Sequence, residues 1–206
     1  MRHFEDVKHT ALKKSNTEAS VPRLTMVSPD FVSWSEDRIR HYEESLTGQV
    51  APAVAVMHID RIHVEAPVLE GTDDISLNRG VGHIAGTARV GGNGNVGIAG
   101  HRDGFFRGLK DIKIGDRIEL EQPDRTDTYV VDRLTVVDPK NVSVLRTSAK
   151  PTLTLVTCYP FYYIGKAPQR FIVHAVLTPD PQTKASNISS QTDRGSCDSA
   201  DCNRSN

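Results

Sequence analysis

The chain has no long run of apolar residues. No stretch of about 18 such residues, the length that a membrane-spanning helix needs, occurs in the 206 positions. The N-terminus also has none of the apolar core that marks a secretory signal peptide. Taken literally, these two absences predict a soluble, cytoplasmic protein.

An excess of charge of one sign is also lacking. The formal net charge is −1 and no long basic cluster occurs, so no strong positive field would draw the chain to nucleic acid or to anionic lipid. Close clusters of histidine, cysteine and carboxylate are missing as well, which makes metal-dependent chemistry the least favoured class. We expect neither nucleic acid as a partner nor a metal site.

Cysteine is scarce, with three residues in the chain. Cys197 and Cys202 lie in a polar C-terminal segment, where they could close a small loop but lack two further ligands for zinc. We interpret them as loose thiols, because a secreted disulfide scaffold would spread an even number of cysteines through its core segments. Cys158 differs from both, since it lies at the end of an apolar run.

The low hydrophobic content, 37%, indicates that part of the chain lies outside a packed core. We predict an N-terminal tail and helix over residues 1–49, with one amphipathic helix over 31–47 that stops near Gly48. The folded domain is predicted over residues 50–178. Residues 179–206 are predicted to be disordered, because they carry almost no large hydrophobic residue.

The folded domain has the pattern of a β protein. Short runs rich in Val, Ile, Thr and Tyr are separated by turn residues, and they include AVAVMHI, NVGIAG, DRIELE, DTYVVDRLTVV, PTLTLVTC and QRFIVHAVLTP. The segment GFFRGLKDI is predicted to form one helical turn between strands. Regularly spaced short strands with few helices indicate a β-barrel or a sandwich.

Cys158 is the first candidate for chemistry. It ends the strand Thr152–Thr157, and Pro160 stops the ladder just beyond it. A strand end holds a side chain rigidly at a sheet edge, where a cleft can form. A lone cysteine on an apolar strand is more often a buried structural residue, so Cys158 needs a partner before a catalytic role is favoured.

His101 is the candidate partner. It ends the run Asn95–Gly100, where Gly100 permits a close backbone approach. An imidazolium favours the thiolate form of a nearby cysteine, and histidine passes protons near neutral pH. The alternative is a surface or capping histidine. Among the others, His83 is the main rival for the catalytic role.

Arg170 is the third candidate. It lies at the start of the strand that follows Cys158, so a hairpin would return it to the neighbourhood of the thiol. A fixed guanidinium can stabilise the negative charge that acyl transfer builds on a carbonyl oxygen. A surface arginine or an ion-pair partner is the commoner role, and spacing alone does not decide between them.

Three strings together resemble the sortase family: NVGIAGHRDGFFRGLKDIKIGDRIEL, TLTLVTCYPF and APQRFIVHA. The forms GHRDGFF and TCYPFYYIGKAPQRF most resemble class D of that family. The family's TLxTC motif matches Thr154–Cys158, its arginine on the next strand matches Arg170, and its histidine matches His101. The resemblance covers about residues 50–178. It implies a mainly β fold: a closed eight-stranded sortase-type β-barrel with short helices and an N-terminal helix.

The resemblance also implies a reaction. Cys158 would attack the Thr-Gly bond of a sorting signal of the LPxTG type, giving a thioacyl-enzyme that an amine then resolves. The implied partners are protein substrates with a C-terminal sorting signal and an amine acceptor of the cell wall or of another surface protein. The implied location is the outer face of the cytoplasmic membrane, in conflict with the missing anchor.

Two further residues are predicted to bind substrate: Thr157 and Tyr159, which flank the nucleophile, although strand packing is the plain alternative for Thr157. No cofactor is expected. Calcium, which some sortases use, would need several converging oxygens. Glu65, Asp73 and Asp74 support such a site only weakly. Two other functions stay open: a cysteine hydrolase on the same fold, and a catalytically idle barrel that acts as a peptide-binding module.

Overall fold

The fold was obtained as a computed structural model, which describes residues 29–50, 52–163 and 165–178. The predictions for residues 1–28 and 179–206, with those for Cys197 and Cys202, lie outside these ranges. Eight strands are formed, and they run as β1 (Ala53–Ile59), β2 (Val64–Glu70), β3 (Val81–His83), β4 (Asn95–Gly100), β5 (Arg117–Glu121), β6 (Thr126–Val137), β7 (Thr152–Tyr159) and β8 (Gln169–Leu177).

The strands close into one barrel, which confirms the expected architecture. Their order around the barrel is β1-β2-β3-β4-β7-β8-β6-β5, with β5 returning to β1. Most neighbours are antiparallel, whereas β2 with β3 and β4 with β7 are parallel. The parallel contact between β4 and β7 places the two strand ends that carry His101 and Cys158 at the same edge of the sheet.

The barrel interior is filled by aliphatic and aromatic side chains from every wall. The fully buried ones include Met57, Ile59, Val68, Val81, Ile98, Ile118, Leu120, Tyr129, Leu153, Leu155 and Val173. Alternating apolar residues on strands give such a continuous core, because side chains two apart face the same side. The core is what fixes the register of the strand ends.

The helical elements lie outside the barrel. They are the 3₁₀ helices η1 (Phe31–Ser33), η2 (Asp60–Ile62), η3 (Phe105–Asp111) and η4 (Val142–Leu145), and the α-helices α1 (Glu36–Ser45) and α2 (Asp74–Arg79). The turn predicted in GFFRGLKDI is confirmed as η3. Short α2 and β3 were not predicted, because neither carries a sustained apolar period.

The prediction of one helix over residues 31–47 is wrong in its extent. The chain forms η1, then takes extended dihedrals at Trp34 and Ser35 before α1 begins at Glu36. Ser35 causes the break because its Oγ accepts a hydrogen bond from the backbone N–H of Arg38 at 3.2 Å, as an N-cap residue does. Helix α1 ends at Ser45, three residues before Gly48.

Aromatic contacts hold this N-terminal segment on the barrel. The Trp34 ring lies 4.9 Å from that of Phe105 and 6.0 Å from that of Tyr42, all centre to centre and edge to face. Phe31 contacts Trp34 and Tyr42 in the same way. Among the residues that the structure describes, no helix has the length and hydropathy to cross a bilayer.

Candidate active site

The antiparallel ladder between β7 and β8 sets Cys158 directly opposite Arg170. This confirms that the connection between the two strands returns Arg170 to the neighbourhood of the thiol. The guanidinium Nη1 of Arg170 donates to the carbonyl oxygens of Gln169, at 3.0 Å, and of Ala167, at 3.3 Å. The main chain of its own segment therefore orients this side chain.

The parallel ladder between β4 and β7 supplies the histidine. Its last register pair is Gly100 with Thr157, so His101 and Cys158 are the next residues along on adjacent strands. Gly100 also allows a close approach, as predicted, because a Cβ atom there would lie 2.6 Å from Cδ2 of the buried Phe106 ring. Two ladders thus bring the three residues together, although His101 lies far from the other two in sequence.

A cleft of about 900 Å³ opens over these strand ends. Cys158, His101 and Arg170 all line it. Its walls come from the segment after β4, from the β7–β8 connection and from the start of α1. Cationic side chains outnumber carboxylates in the lining, which holds Arg38, Arg102, Arg107, Lys166 and Arg170 against Asp37 and Asp103. Such a cleft suits an extended chain that brings a carbonyl to the thiol.

The environment of His101 lowers its pKa to about 4. Burial is the main cause, and the positive charge of Arg38 adds to it, while the carboxylate of Asp103 acts in the opposite direction. The imidazole is therefore neutral at pH 7 and able to accept a proton. The imidazolium that sequence reasoning placed beside the thiol is a minor form in the free protein at that pH.

Thr157 and Tyr159 are placed beside Cys158 but are not among the residues that line the cleft. Thr157 is 2% exposed, and its hydroxyl donates to the carbonyl oxygen of Gly100 at 2.8 Å. The Tyr159 ring stacks on that of Phe171, 6.2 Å between centres. Both side chains thus have partners within the fold.

Two arginines from the histidine side hold the β7–β8 connection. Arg102 donates to the carbonyl oxygens of Pro160 at 3.1 Å, Tyr163 at 2.7 Å and Gly165 at 3.0 Å. Arg107 donates to the carbonyl of Phe161 at 2.8 Å and lies 4.4 Å from the centre of the Tyr162 ring. This connection forms one wall of the cleft, so the two arginines fix that wall relative to His101.

The rival histidine lies elsewhere. His83 is buried on β3, where Nδ1 faces Glu70 at 3.0 Å and Nε2 faces the carbonyl of Ala88 at 2.9 Å. Both ring nitrogens are thereby committed to structural partners. In the described part of the chain, no three or more His, Cys, Asp or Glu side chains converge as a metal site. Asp73, one of the calcium candidates, instead caps α2 through Ser76.

Sequence reasoning missed Arg38, Arg102 and Arg107, which line the cleft together with the three predicted residues. Each of the three makes its main contacts with residues at least 40 positions away. The sequence strings that resemble the sortase motifs include Arg102 and Arg107, but no local pattern gave them a role. Arg38 lies on the helix that was predicted only as an amphipathic element.

Comparisons with known proteins point to one family. A family model described as "Sortase domain" matches residues 57–178. Sortase D of Bacillus subtilis strain 168 is 36% identical over 164 residues, which are 79% of this chain and 80% of that protein.

Solved structures give the same result. A Clostridium perfringens Sortase D5 transpeptidase is similar with a TM-score of 0.58 and 28% identity, over 68% of this chain and 89% of that one. Sortase A of Corynebacterium diphtheriae has a TM-score of 0.59 and 30% identity, over 71% of each chain. The family model covers more than half of the chain, and the resemblance to class D stated from the sequence is confirmed. The chain belongs to the sortase family of cysteine transpeptidases.

Proposed function

We propose that the chain cleaves an LPxTG-like sorting signal at the Thr-Gly bond and transfers the acyl group to an amine, with Cys158 as nucleophile. The observation that carries the proposal is the position of Cys158 between two neighbouring strands. On one side Cys158 pairs with Arg170. On the other side the last pair is Thr157 with Gly100, so that Cys158 and His101 are the next residues of the two chains. A nucleophile, a base and an oxyanion stabiliser on the ends of adjacent strands are the parts that acyl transfer needs.

The neutral imidazole of His101 is the base of the first step. It takes the thiol proton as Sγ of Cys158 attacks the threonine carbonyl, so that a C–S bond forms and the carbonyl oxygen becomes an anion. The Arg170 guanidinium stabilises that anion. The imidazolium then gives its proton to the departing nitrogen of glycine as the C–N bond breaks, leaving a thioester.

An amine completes the reaction. It attacks the thioester carbonyl while His101 accepts its proton, and the C–S bond breaks to give a new amide. The proton returns from His101 to the Cys158 sulfur, which restores the starting state. Water in place of the amine would give hydrolysis. The choice between the two therefore depends on which nucleophile reaches the thioester.

Thr157 and Tyr159, predicted to bind substrate, are proposed to act from behind the cleft. The hydroxyl of Thr157 links the ends of β7 and β4, which supports a role in fixing Cys158 relative to His101. The exposed rings of Tyr162 and Tyr163 line the cleft, so contact with the sorting peptide is proposed for them.

We place this reaction at the outer face of the cytoplasmic membrane. Proteins with a C-terminal sorting signal are the proposed acyl donors, and an amine of the cell wall or of another surface protein is the proposed acceptor. The amine decides whether the product is an anchored protein or a pilus polymer. No cofactor enters the proposed steps.

Cleavage of a library of LPxTG-like peptides, with and without hydroxylamine, tests the proposal. We expect hydroxamate product from the wild type and none from Cys158→Ala. His101→Gln and Arg170→Met should lower kcat/KM by about 10²-fold or more. Arg170→Lys is the matched control, because it keeps the charge but not the planar fork.

The other possible results would point away from this proposal. Release of peptide that hydroxylamine does not redirect would indicate a hydrolase. Peptide binding by the folded protein without turnover, together with a Cys158 that resists alkylation, would indicate a peptide-binding module. Full activity in Cys158→Ala would overturn the assignment of the nucleophile.

A further inference from the structure

Arg38 joins three separate segments at the histidine side of the cleft. Its side chain is 14% exposed. Nε donates to Oδ1 of Asp103 at 3.2 Å, and Nη1 donates to Oδ1 of Asn78 at 2.7 Å. Asp103 follows β4, Asn78 lies on α2 and Arg38 lies on α1. The guanidinium is therefore held from two directions, which gives it one fixed place.

Aromatic contacts also hold the same helix, through one residue just before it and one within it. Trp34 and Tyr42 contact Phe105, the first residue of η3. Since Phe105 lies four residues past His101, α1 is anchored on the segment that carries the histidine. The position of Arg38 is thus set by the fold and not by a flexible surface chain.

The charged and titratable groups that act on His101 come from three elements. Arg38 and His41 lie on α1, Asp74 lies on α2, and Asp103 lies in the segment after β4. Arg38 opposes the imidazolium most strongly among the charges, and Asp103 favours it most strongly. Two groups that bond to each other thus have opposite effects on the same ring.

We propose that Arg38 is a positioning residue for acyl transfer, which docks α1 beside His101 and holds a fixed positive charge next to that ring. The proposal rests on the proposed function, because it matters only if His101 exchanges protons with Cys158. A cation next to the ring opposes the imidazolium form, so it makes the imidazolium a stronger acid toward the departing nitrogen.

Substitutions on the two sides of the ion pair separate this role from mere docking. Arg38→Met removes the opposing charge, so the pKa of His101 should rise by about one pH unit. Asp103→Asn removes the favouring charge while Arg38 keeps its contact with Asn78, so the pKa should fall. A purely structural role predicts that the two variants move the ring in the same direction, because both break the same contact.

The measurement is NMR at pH 5 on full-length protein with labelled histidine, where the His101 signal is identified by its loss in His101→Gln. With a pKa of about 4, roughly one tenth of the His101 rings are protonated at this pH. The fraction should approach one half in Arg38→Met and should fall in Asp103→Asn. Arg38→Lys should stay near the wild type, because it keeps the charge.

Arg40→Met is the matched control. Arg40 lies on the same helix and pairs with Asp37 and Glu44, but it is 59% exposed and does not line the cleft. It should leave the His101 signal unchanged. Equal shifts in Arg38→Met and Arg40→Met, or shifts of the same sign in Arg38→Met and Asp103→Asn, would overturn the proposal.

Activity gives an independent readout. The acid limb of the kcat/KM profile should move to higher pH in Arg38→Met and to lower pH in Asp103→Asn. The NMR measurement needs no turnover, so it decides the role of Arg38 even if no peptide is cleaved. Absence of cleavage would count against the proposed function alone. Thermal unfolding of each variant shows whether the protein measured is folded.

Discussion

The two sides of the cleft are built in different ways. On the histidine side, the half-buried His101 lies near charged groups on α1, on α2 and in the segment after β4, and Arg38 among them bonds to residues far away in sequence. On the cysteine side, Cys158 and Arg170 face each other across one ladder. The connection beyond them exposes Tyr162 and Tyr163. One side is a set of fixed charges, and the other is a strand pair with an open wall.

The difference separates two tasks. A proton-transfer group needs a constant electrostatic environment, which burial and fixed charges provide. A peptide-binding wall needs exposed surface that a substrate can cover, which the β7–β8 connection provides. The two sides meet through the Thr157 hydroxyl bond to Gly100 and through Arg102 and Arg107. Variants of the residues at and near these contacts test whether the two sides of the cleft have separate tasks.

The largest effect is expected at Gly100. In Gly100→Ala the added Cβ would lie 2.6 Å from Cδ2 of Phe106, a ring with no exposed surface. The ring or strand β4 must move, at a cost of up to about 3 kcal/mol in the free energy of unfolding, and His101 would shift with the strand. Urea unfolding and kcat/KM measure the two consequences.

A double-mutant cycle checks the cause. Phe106→Ala removes all three ring atoms that the new Cβ would meet within 3 Å, so adding Gly100→Ala to it should cost much less than in the wild type. Strictly additive losses would show that the clash is not the reason.

The second effect is a dependence of stability on pH. His101 has a pKa of about 4 in the folded protein against the ordinary histidine pKa of 6.5, so between these pH values the unfolded chain binds a proton that the folded chain does not. The stability that the neutral ring confers is complete above pH 6.5 and is lost as the pH falls through 4.

We therefore expect the free energy of unfolding to fall more steeply from pH 6.5 to 4 in the wild type than in His101→Gln. The difference should be on the order of 2 kcal/mol. Urea unfolding at several pH values measures it, and parallel curves for the two proteins would contradict the burial of a neutral ring.

The third effect concerns the hydrogen bond that links the ends of β7 and β4. Thr157→Val keeps the shape of the side chain but removes the bond to the Gly100 carbonyl, which should cost about 1 kcal/mol of stability. Activity should fall with it, because Cys158 is the next residue. Thr157→Ser keeps the hydroxyl and should retain more activity, whereas equal activities in the two variants would argue against the bond.

The smallest effect is expected at the β7–β8 connection, which forms one wall of the cleft. Arg102→Met removes three bonds to carbonyl oxygens of residues 160–165, so the substrate must order this segment as it binds. KM should rise roughly threefold with little change in kcat. Arg133→Met, at an exposed position on β6, is the control. A large loss of kcat would show that Arg102 acts on the chemistry.

Sequence reasoning named three residues that line the cleft, and it did so where local patterns carry information. Cys158 and His101 end apolar runs that are typical of strands, and Arg170 begins the strand that follows Cys158. Each could therefore be picked out from the sequence of its own segment. The barrel followed from the resemblance and not from the pattern, which allowed a sandwich equally well. The parallel contact of β4 with β7 had no local signal.

The rest depends on contacts between distant residues. The bond between Asp103 and Arg38 spans 65 positions. The acceptor of the Thr157 hydroxyl lies 57 positions away. The break between η1 and α1 was the exception, because Ser35 followed by Glu36 and Asp37 is a local helix-start signal that the apolar spacing across residues 31–47 obscured.

The position of β7 between β4 and β8 has a consequence for how the protein is made. Strands β1 to β6 leave the ribosome before β7 and β8. The barrel stays open between β4 and β6 until then, because the β7–β8 hairpin fills that gap. That hairpin carries both Cys158 and Arg170. Long-range pairing of this kind forms late in folding, since its loop entropy is paid before its contacts form. The nascent enzyme therefore gains its assembled thiol site in the same event that closes the barrel.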